Sequence, residues 1–264
     1  MTTRIDELSR QGDVGDKPLT ARPGPEAIRS IRRASIIAGG GILLIAALAA
    51  FGTLFVLGRL VTSENAAKMA KDIMASEGMF RLGVASSYVV VVLDVVVAWA
   101  LFRVFSPVSE SISTLAAWFR VAYAGVFMVA LSQLAGIPHL LGGNGYSGAF
   151  DTAQLHAQAL LKADAYHDIW LAGLVLFGVH LLLIGYLAYE SGYVPRTLGV
   201  LLVVAGLGYA FDSFGAVLSR GSSITISTVT FLGEFLLAVW LLIRSHRISL
   251  GASHRRSDGV MQAR

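Results

Sequence analysis

Long apolar runs separated by short polar stretches make up most of this 264-residue chain. An α-helix needs roughly 20 apolar residues to cross about 30 Å of hydrocarbon. Runs of this length predict six transmembrane helices, near residues 35–58, 82–105, 114–135, 168–189, 196–218 and 224–243. All six prolines fall outside these ranges, which favours unbroken helices because proline removes a backbone hydrogen bond. The pattern therefore predicts an all-α, polytopic transmembrane bundle.

The two ends of the chain have a different pattern. Residues 1–30 mix charge with glycine and proline and show no periodic apolar face, which predicts a disordered tail. Residues 245–264 are predicted to form a basic tail, so the membrane domain is expected to occupy 31–244. The first apolar run follows a long polar stretch and is long enough to span, which favours an uncleaved anchor over a signal peptide.

Two of the segments between spans are predicted to contain short helices. From Glu64 to Phe80, apolar residues recur at helical spacing, which is typical of an interfacial helix. Further along, Asp151 and Gln154 resemble a capping pair that opens a short helix ending near Ala163. The glycines at 142–145 do not lie between a strand and a helix, which argues against a nucleotide-binding loop.

Composition supports a membrane protein and excludes several other classes. Only 14% of the residues are charged, against about a quarter in soluble domains, and the mean hydropathy is +0.67. The net charge of +4 is explained by basic residues that flank spans, so no nucleic-acid partner is predicted. The absence of cysteine excludes disulfides, thiolate metal sites and a cysteine nucleophile.

The Lys and Arg residues also orient the bundle. With six spans, most of the 21 fall on the side of the N-terminus. The opposite side receives only Arg59, Lys68, Lys71, Arg81, Lys162 and Arg220. Because basic residues favour the cytoplasmic side of a membrane, both termini are predicted to be cytoplasmic.

Several ionisable residues fall inside the predicted spans. A charged residue at mid-bilayer costs about 2.5–3.5 kcal/mol on insertion scales, so these side chains are expected to be neutral, paired or in contact with water. Arg120 is the expected partner of Asp94 or Glu234, and Ser227 and Thr230 share a helical face with Glu234. The predicted intramembrane polar network comprises Asp94, Arg120, His180, Tyr209, Asp212 and Glu234. Asp212 is expected about 7.5 Å outward of the centre of its span.

Two interpretations of this network stay open. The first is a set of interhelical hydrogen bonds that only fixes packing. The second is a proton or ion relay, or a polar substrate cavity, in which His180 titrates near neutral pH.

Cofactor chemistry has weaker support. His167 and His180 lie thirteen residues apart, a spacing that resembles paired haem ligands, but the other spans contain no histidine. A loop-side zinc site would draw on His139, His156, Asp164, His167 and Asp168, whose spacing matches no zinc motif. The chain has no GxSxG motif either, so no cofactor, metal or catalytic residue is predicted and the sequence does not favour an enzyme.

Four segments carry a family resemblance: SEGMFRLGVASS, LDVVVAWALFRVFSPV, FGVHLLLIGYLAYESGYVPRTLGVLLVVAGLGYAFDSF and FLGEFLLAVWLLI. They resemble the DUF4386 family of bacterial multi-pass membrane proteins, over roughly Arg32 to Ile243. The resemblance implies a six-helix or similar membrane fold in a bacterial inner membrane. The family has no assigned function, so it implies no residue roles. Where the family pattern leads us to expect an acidic residue soon after Arg120, this chain has Ala122 and Tyr123, which argues against an arginine–carboxylate pair within the third span.

Three functional hypotheses follow, in order of preference. The first is transport of a small molecule, or translocation of protons or ions, through a polar intramembrane cavity. It would suit an inverted pair formed by spans one to three and four to six, with Asp94 and Asp212 in corresponding middle helices. The second is a structural or accessory scaffold, and the third is an intramembrane metal-dependent enzyme. The lipid bilayer is the one predicted partner besides a possible small-molecule or ion substrate.

Overall fold

A computed structural model describes residues 25–61, 65–142, 148–218 and 227–244, with side chains at all of these except 25–28 and 227–231. The secondary structure of these residues is helical throughout, which confirms the predicted all-α fold. The helices are α1 (Pro25–Ala49), a π-helical segment (Ala50–Leu57), α2 (Gly58–Leu60), α3 (Ala66–Ala75), α4 (Glu77–Phe105), α5 (Glu110–Ala135), α6 (Ile137–Leu141), α7 (Thr152–Glu190), α8 (Arg196–Leu218) and α9 (Ser227–Ile243).

The lengths of these helices suit a membrane. By length and composition, five continuous helical stretches could cross a bilayer: Arg29–Leu60, Glu77–Phe105, Glu110–Leu141, Thr152–Glu190 and Arg196–Leu218. Helix α9 is apolar and has 17 residues, which is the lower end of the usual spanning length of about 17–25 residues. The fold is therefore an all-α polytopic bundle. The predicted tails, at residues 1–24 and 245–264, lie outside the described residues.

The first span differs from its prediction in two ways. Helix α1 begins at Pro25, inside the stretch predicted as a tail, where proline fits because a first helical residue needs no N–H partner. The span is also not a uniform α-helix, since residues Ala50–Leu57 are π-helical. This segment contains no proline, so the proline pattern does not predict it. Short π-helical segments within α-helices often lie at functional sites.

Two other predictions are refined. The capping box at Asp151 and Gln154 is confirmed, but the helix it opens continues to Glu190, so the predicted short helix and fourth span are one 39-residue helix. The predicted interfacial helix is α3, capped by the Asn65 side chain. Its residues Met69 and Ile73 are buried against α6 and α7, so α3 is packed on the bundle.

The six long helices form a closed ring in chain order. Helix α1 packs on α4, α4 on α5, α5 on α7, α7 on α8, α8 on α9, and α9 on α1. We call the end of the ring that holds residues 106–109 and 191–195 the elbow end. The end that holds α3 and α6 is the cap end. Consecutive helices of the ring run in opposite directions between these two ends.

This order excludes the predicted inverted pair. Around the ring, α1, α4 and α5 follow one another in the same sense as α7, α8 and α9. A two-fold axis in the membrane plane would reverse that sense, so it cannot superpose the first three helices on the last three. An axis along the membrane normal preserves the order but would superpose α1 on α7, which runs the opposite way. The inverted pair that the transport hypothesis would suit, with Asp94 and Asp212 in equivalent places, therefore does not match this order of helices.

The elbow between α7 and α8 is fixed by local contacts. Gly192 has a φ of 71°, a left-handed conformation that glycine adopts without strain after a helix end. The Ser191 hydroxyl donates to the Ala188 carbonyl and accepts from the Val194 N–H. The Tyr193 hydroxyl donates to the Val104 carbonyl at 2.8 Å, which ties the elbow to α4.

Paired glycines bring α7 and α8 into backbone contact. A Cβ atom at Gly206 would lie 2.6 Å from the Gly178 carbonyl oxygen, and one at Gly199 would lie 2.8 Å from the Gly185 carbonyl oxygen. The reverse contacts are equally short, at 2.7 and 2.8 Å. Small residues of this kind allow close packing of membrane helices, and the two pairs fix the register of α7 against α8.

We expect Gly206→Ala to destabilise the protein by about 1–3 kcal/mol, because the new methyl group meets backbone that cannot move independently. Gly215→Ala on the same helix is the matched control, since its Cβ has no neighbour within 4 Å. That change should be neutral or should stabilise the helix by up to about 1 kcal/mol. Thermal unfolding of both variants in one detergent measures the difference; equal unfolding midpoints would contradict the glycine contact.

Candidate functional site

Four helices bring polar side chains to one level of the bundle. At 1.5 Å per residue, Asp94 on α4, Arg120 on α5, His180 on α7 and Glu234 on α9 all lie about 14–17 Å from the elbow end of their helices. This depth is close to half of the roughly 30 Å hydrocarbon thickness. The four residues are 0–7% exposed, so lipid does not reach them.

Arg120 is the centre of this cluster. Its Nε and Nη2 atoms both donate to Asp94 Oδ1, at 3.0 and 2.7 Å. Its Nη1 atom donates to Glu234 Oε1 at 2.9 Å and lies 3.2 Å from His180 Nε2. Four of the five guanidinium N–H groups therefore have protein partners on three other helices. The Phe177 ring covers one face of the guanidinium, with its centroid 5.3 Å from Cζ.

The neighbours of His180 define its protonation. Its Nδ1 atom lies 2.9 Å from the Ala116 carbonyl oxygen, which can only accept, so Nδ1 carries the hydrogen. Arginine can only donate, so Nε2 must be the acceptor of the Arg120 contact. We therefore assign a neutral ring with the hydrogen on Nδ1. His180 orients Arg120, and its basic nitrogen is already in use.

The charges of the cluster do not cancel. Arg120 carries one positive charge, and Asp94 and Glu234 carry two negative charges when both are ionised, which leaves one negative charge in excess. At this burial an uncompensated charge is costly. The cluster therefore requires one additional positive charge, either a proton on the carboxyl pair or a bound cation.

A cavity of about 370 Å³ lies beside this cluster. Asp94, Arg120 and Glu234 line it at the level of the cluster, and Phe127 and Trp170 line it about 10–15 Å nearer the cap end. Most of its wall is aromatic or aliphatic. The aromatic residues of the wall are Tyr123, Phe127, Tyr166, Trp170, Phe177 and Tyr209. The volume is within the range of about 300–1,000 Å³ that is typical of small-molecule sites.

The π-helical segment forms one side of this cavity. Ala50, Thr53 and Leu54 of the segment line it, next to Ala46 and Ala49 of α1. The irregular part of the first span is thus the part that faces the cavity. Thr53 and Ser87 add hydroxyl groups on this side, opposite the aromatic residues of α7.

The structure brings together four of the six predicted network residues: Asp94, Arg120, His180 and Glu234. Tyr209 lines the cavity and contacts the Phe177 ring edge-on, with centroids 5.4 Å apart. Asp212 is also buried, but it lies about 24 Å from the elbow end of α8, roughly 10 Å beyond the cluster. The side chains of Ser227 and Thr230, predicted to join Glu234, lie outside the described residues.

The described part of the chain shows no ligand set for either the haem or the zinc hypothesis. Both ring nitrogens of His180 are engaged by protein groups, so haem ligation would have to break one of these contacts. Among the described residues, no three His, Asp or Glu side chains come together to hold a metal ion. His139, His156, Asp164, His167 and Asp168 are therefore not gathered into one ligand set in the described part of the chain.

One contributor to the cluster was missed from the sequence. The Ala116 carbonyl carries no side-chain signal, so no residue pattern predicts it. Phe177 lies three residues before His180, and this spacing already places the two residues on one helical face.

Comparison with known proteins gives a family and one distant relative. The family described as "Domain of unknown function (DUF4386)" matches residues 37–245. A protein of Archaeoglobus fulgidus, described as "Uncharacterized protein", is 33% identical over 162 residues, which are 61% of this chain and 83% of the relative. No solved structure matches the chain.

We expect Arg120→Met to lower the stability by about 3–5 kcal/mol, because two buried carboxyl groups lose their shared cation. The matched control is the triple variant Asp94→Asn, Arg120→Met, Glu234→Gln, which removes all three charges and should recover most of the loss. Unfolding of the purified proteins in one detergent measures both effects. If Arg120→Met is as stable as the parent protein, the ion pairs do not stabilise the bundle.

Proposed function

The chain belongs to the DUF4386 family, and we propose that it is a transporter that moves a small polar or ionic substrate across the membrane through the central cavity. The proposed location is the cytoplasmic membrane of a bacterium, with the elbow end in the cytoplasm. No catalytic step is part of the proposal.

One observation carries this proposal: two buried carboxyl groups that share a single cation border a cavity. A cluster that only joined helices would be more stable with balanced charge or with apolar residues of the same volume. Intramembrane carboxyl groups next to a cavity are instead typical of ion and proton pathways. The second oxygens, Asp94 Oδ2 and Glu234 Oε2, have no hydrogen bond to another described residue, and both side chains line the cavity.

The packing on the two sides of the cluster supports a gate. On the elbow side, Leu101, Val104 and Phe105 of α4 pack with Ile184 and Leu187 of α7 in a buried core. On the cap side, the cavity begins directly at the cluster. A substrate that enters from the cap side would therefore be stopped at Arg120, and translocation requires the Arg120 contacts to open.

The scaffold hypothesis has an observation of its own. The Arg120 contacts join α4, α5, α7 and α9, so the same cluster also holds the ring together. The two hypotheses differ in the expected effect of replacing a carboxyl group of the cluster with its neutral amide. In a scaffold this change alters only the stability of the protein, whereas in a transporter it also lowers the flux of substrate or protons.

We expect Glu234→Gln to reduce proton flux at least tenfold in proteoliposomes that hold a pH-sensitive dye and an imposed pH gradient. Glutamine preserves the side-chain volume and can still accept from Arg120, but it cannot carry a proton. Asp72→Asn on α3 is the control, since this acid lies at the cap end and pairs with Lys68 at 2.7 Å. If the parent protein conducts no more than protein-free liposomes, the scaffold hypothesis is favoured.

The proposed orientation can be tested by single cysteines, because the chain contains none. Glu190→Cys at the elbow end should react with a membrane-impermeant maleimide only after the cells are permeabilised. Lys71→Cys on α3 should react in intact cells, since both positions are exposed. The opposite labelling pattern would reverse the orientation.

A further inference from the structure

We propose that the central cavity binds a small organic cation, an ammonium group on an apolar body, and releases one proton when it does so. This inference rests on the proposed function for the role of the cavity and adds the class of substrate. It is drawn from the charge of the cluster and from the composition of the cavity wall.

The charge balance selects a cation. With both carboxyl groups ionised, Arg120, Asp94 and Glu234 leave one negative charge in excess, and the neutral His180 ring does not compensate it. An anionic ligand would raise the excess to two negative charges in a site of low dielectric constant. It would also compete for Arg120, four of whose five N–H groups are already engaged. A singly charged cation brings the site to neutrality.

The carboxyl groups that would pair with this cation line the cavity. Asp94 and Glu234 each use one oxygen, Oδ1 and Oε1, to accept from Arg120. Their second oxygens have no hydrogen bond among the described residues, and both side chains line the cavity. An ammonium group placed between them would lie against two carboxyl oxygens that Arg120 does not occupy.

The wall of the cavity favours an organic cation over a metal ion. Tyr123 and Phe177 have ring centroids 4.8 Å apart, and the Tyr209 ring meets Phe177 edge-on. The faces of aromatic rings attract alkylammonium groups. Leu174 and Val90 supply aliphatic surface for the rest of the ligand. A small metal ion would leave most of the 370 Å³ unfilled.

The exchanged proton belongs to the carboxyl pair. Without a ligand, one proton bound to Asp94 or Glu234 neutralises the cluster. When the cation enters, that O–H bond breaks, the proton leaves to solvent, and the carboxylate pairs with the ammonium group without a covalent bond. Among the described residues, the titratable and charged groups that contact the pair or line the cavity with it are Arg120 and Tyr123 on α5, Tyr166 and His180 on α7, and Tyr209 on α8, with Asp212 one turn beyond Tyr209. The residues of α1 and the π-helical segment that line the cavity are uncharged.

Calorimetric titration of the purified full-length protein tests this inference. The probe is benzyltrimethylammonium, and benzenesulfonate and benzyl alcohol are its anionic and neutral counterparts. We expect saturable binding of the ammonium probe alone. Titrations in two buffers of different ionisation enthalpy should give about one proton released per cation bound. Binding of benzenesulfonate but not of the ammonium probe, or cation binding without proton release, would overturn the inference.

Two variants separate the site from non-specific partition into detergent. Glu234→Gln should weaken binding of the ammonium probe at least tenfold and abolish proton release. Glu77→Gln, at a half-buried acid that pairs with Arg81 at the cap end, should bind as the parent protein does. Equal binding by the parent protein and both variants would show that the probe partitions into detergent, and would contradict the inference.

The outcome is independent of the flux assay. A protein that conducts protons but does not bind the ammonium probe keeps the proposed function and loses the substrate class. A protein that binds the probe with proton release but carries no flux keeps the cation site and loses transport.

Discussion

The buried guanidinium of Arg120 is the constraint on which the rest of this bundle depends. At 1% exposure it has no access to bulk water, so its charge and its N–H groups must be satisfied by the protein. No carboxyl group on α5 does this; the partners come from α4, α7 and α9. Three helices must therefore approach α5 at one depth, and the ring of six helices is the arrangement that allows it. The same requirement places polar atoms beside a cavity, because the aromatic residues around Arg120 leave space on its cap side.

Two different kinds of contact hold the helices of the bundle together. The charged cluster joins α4, α5, α7 and α9 at mid-depth, while α8 is held to α7 by backbone contact at Gly178 and Gly206 and again near the elbow at Gly185 and Gly199. Helix α1 also approaches α9 through a glycine, since a Cβ atom at Gly39 would lie 2.7 Å from the Ala238 carbonyl oxygen. Backbone contacts of this kind depend on shape, and ion pairs depend on charge. A change of protonation in the cluster can thus loosen some helix pairs and leave the others in register.

The sequence predicts the spans well because the bilayer sets their length and their composition. It also identifies Asp94, Arg120, His180 and Glu234, since ionisable residues are too costly in hydrocarbon to be placed there without partners. Asp212 meets the same criterion but lies about 10 Å away from the cluster, because depth along a helix depends on where that helix begins. The protonation of His180 depends on a carbonyl oxygen 64 positions away, at Ala116, and no local pattern encodes such a contact. The order of the helices around the ring is likewise set by packing, which is why the expected symmetry between the two halves failed.

The distribution of the cluster along the chain has a consequence for biogenesis. Asp94 and Arg120 lie on consecutive long helices, so they can neutralise each other as soon as α4 and α5 have left the ribosome and entered the bilayer. His180 follows with α7. Glu234 arrives last, on the helix that closes the ring, and finds the cation already paired. The pair of Asp94 and Arg120 is already neutral, so the last helix is the one whose arrival makes the cluster require one further positive charge, a proton or a bound cation.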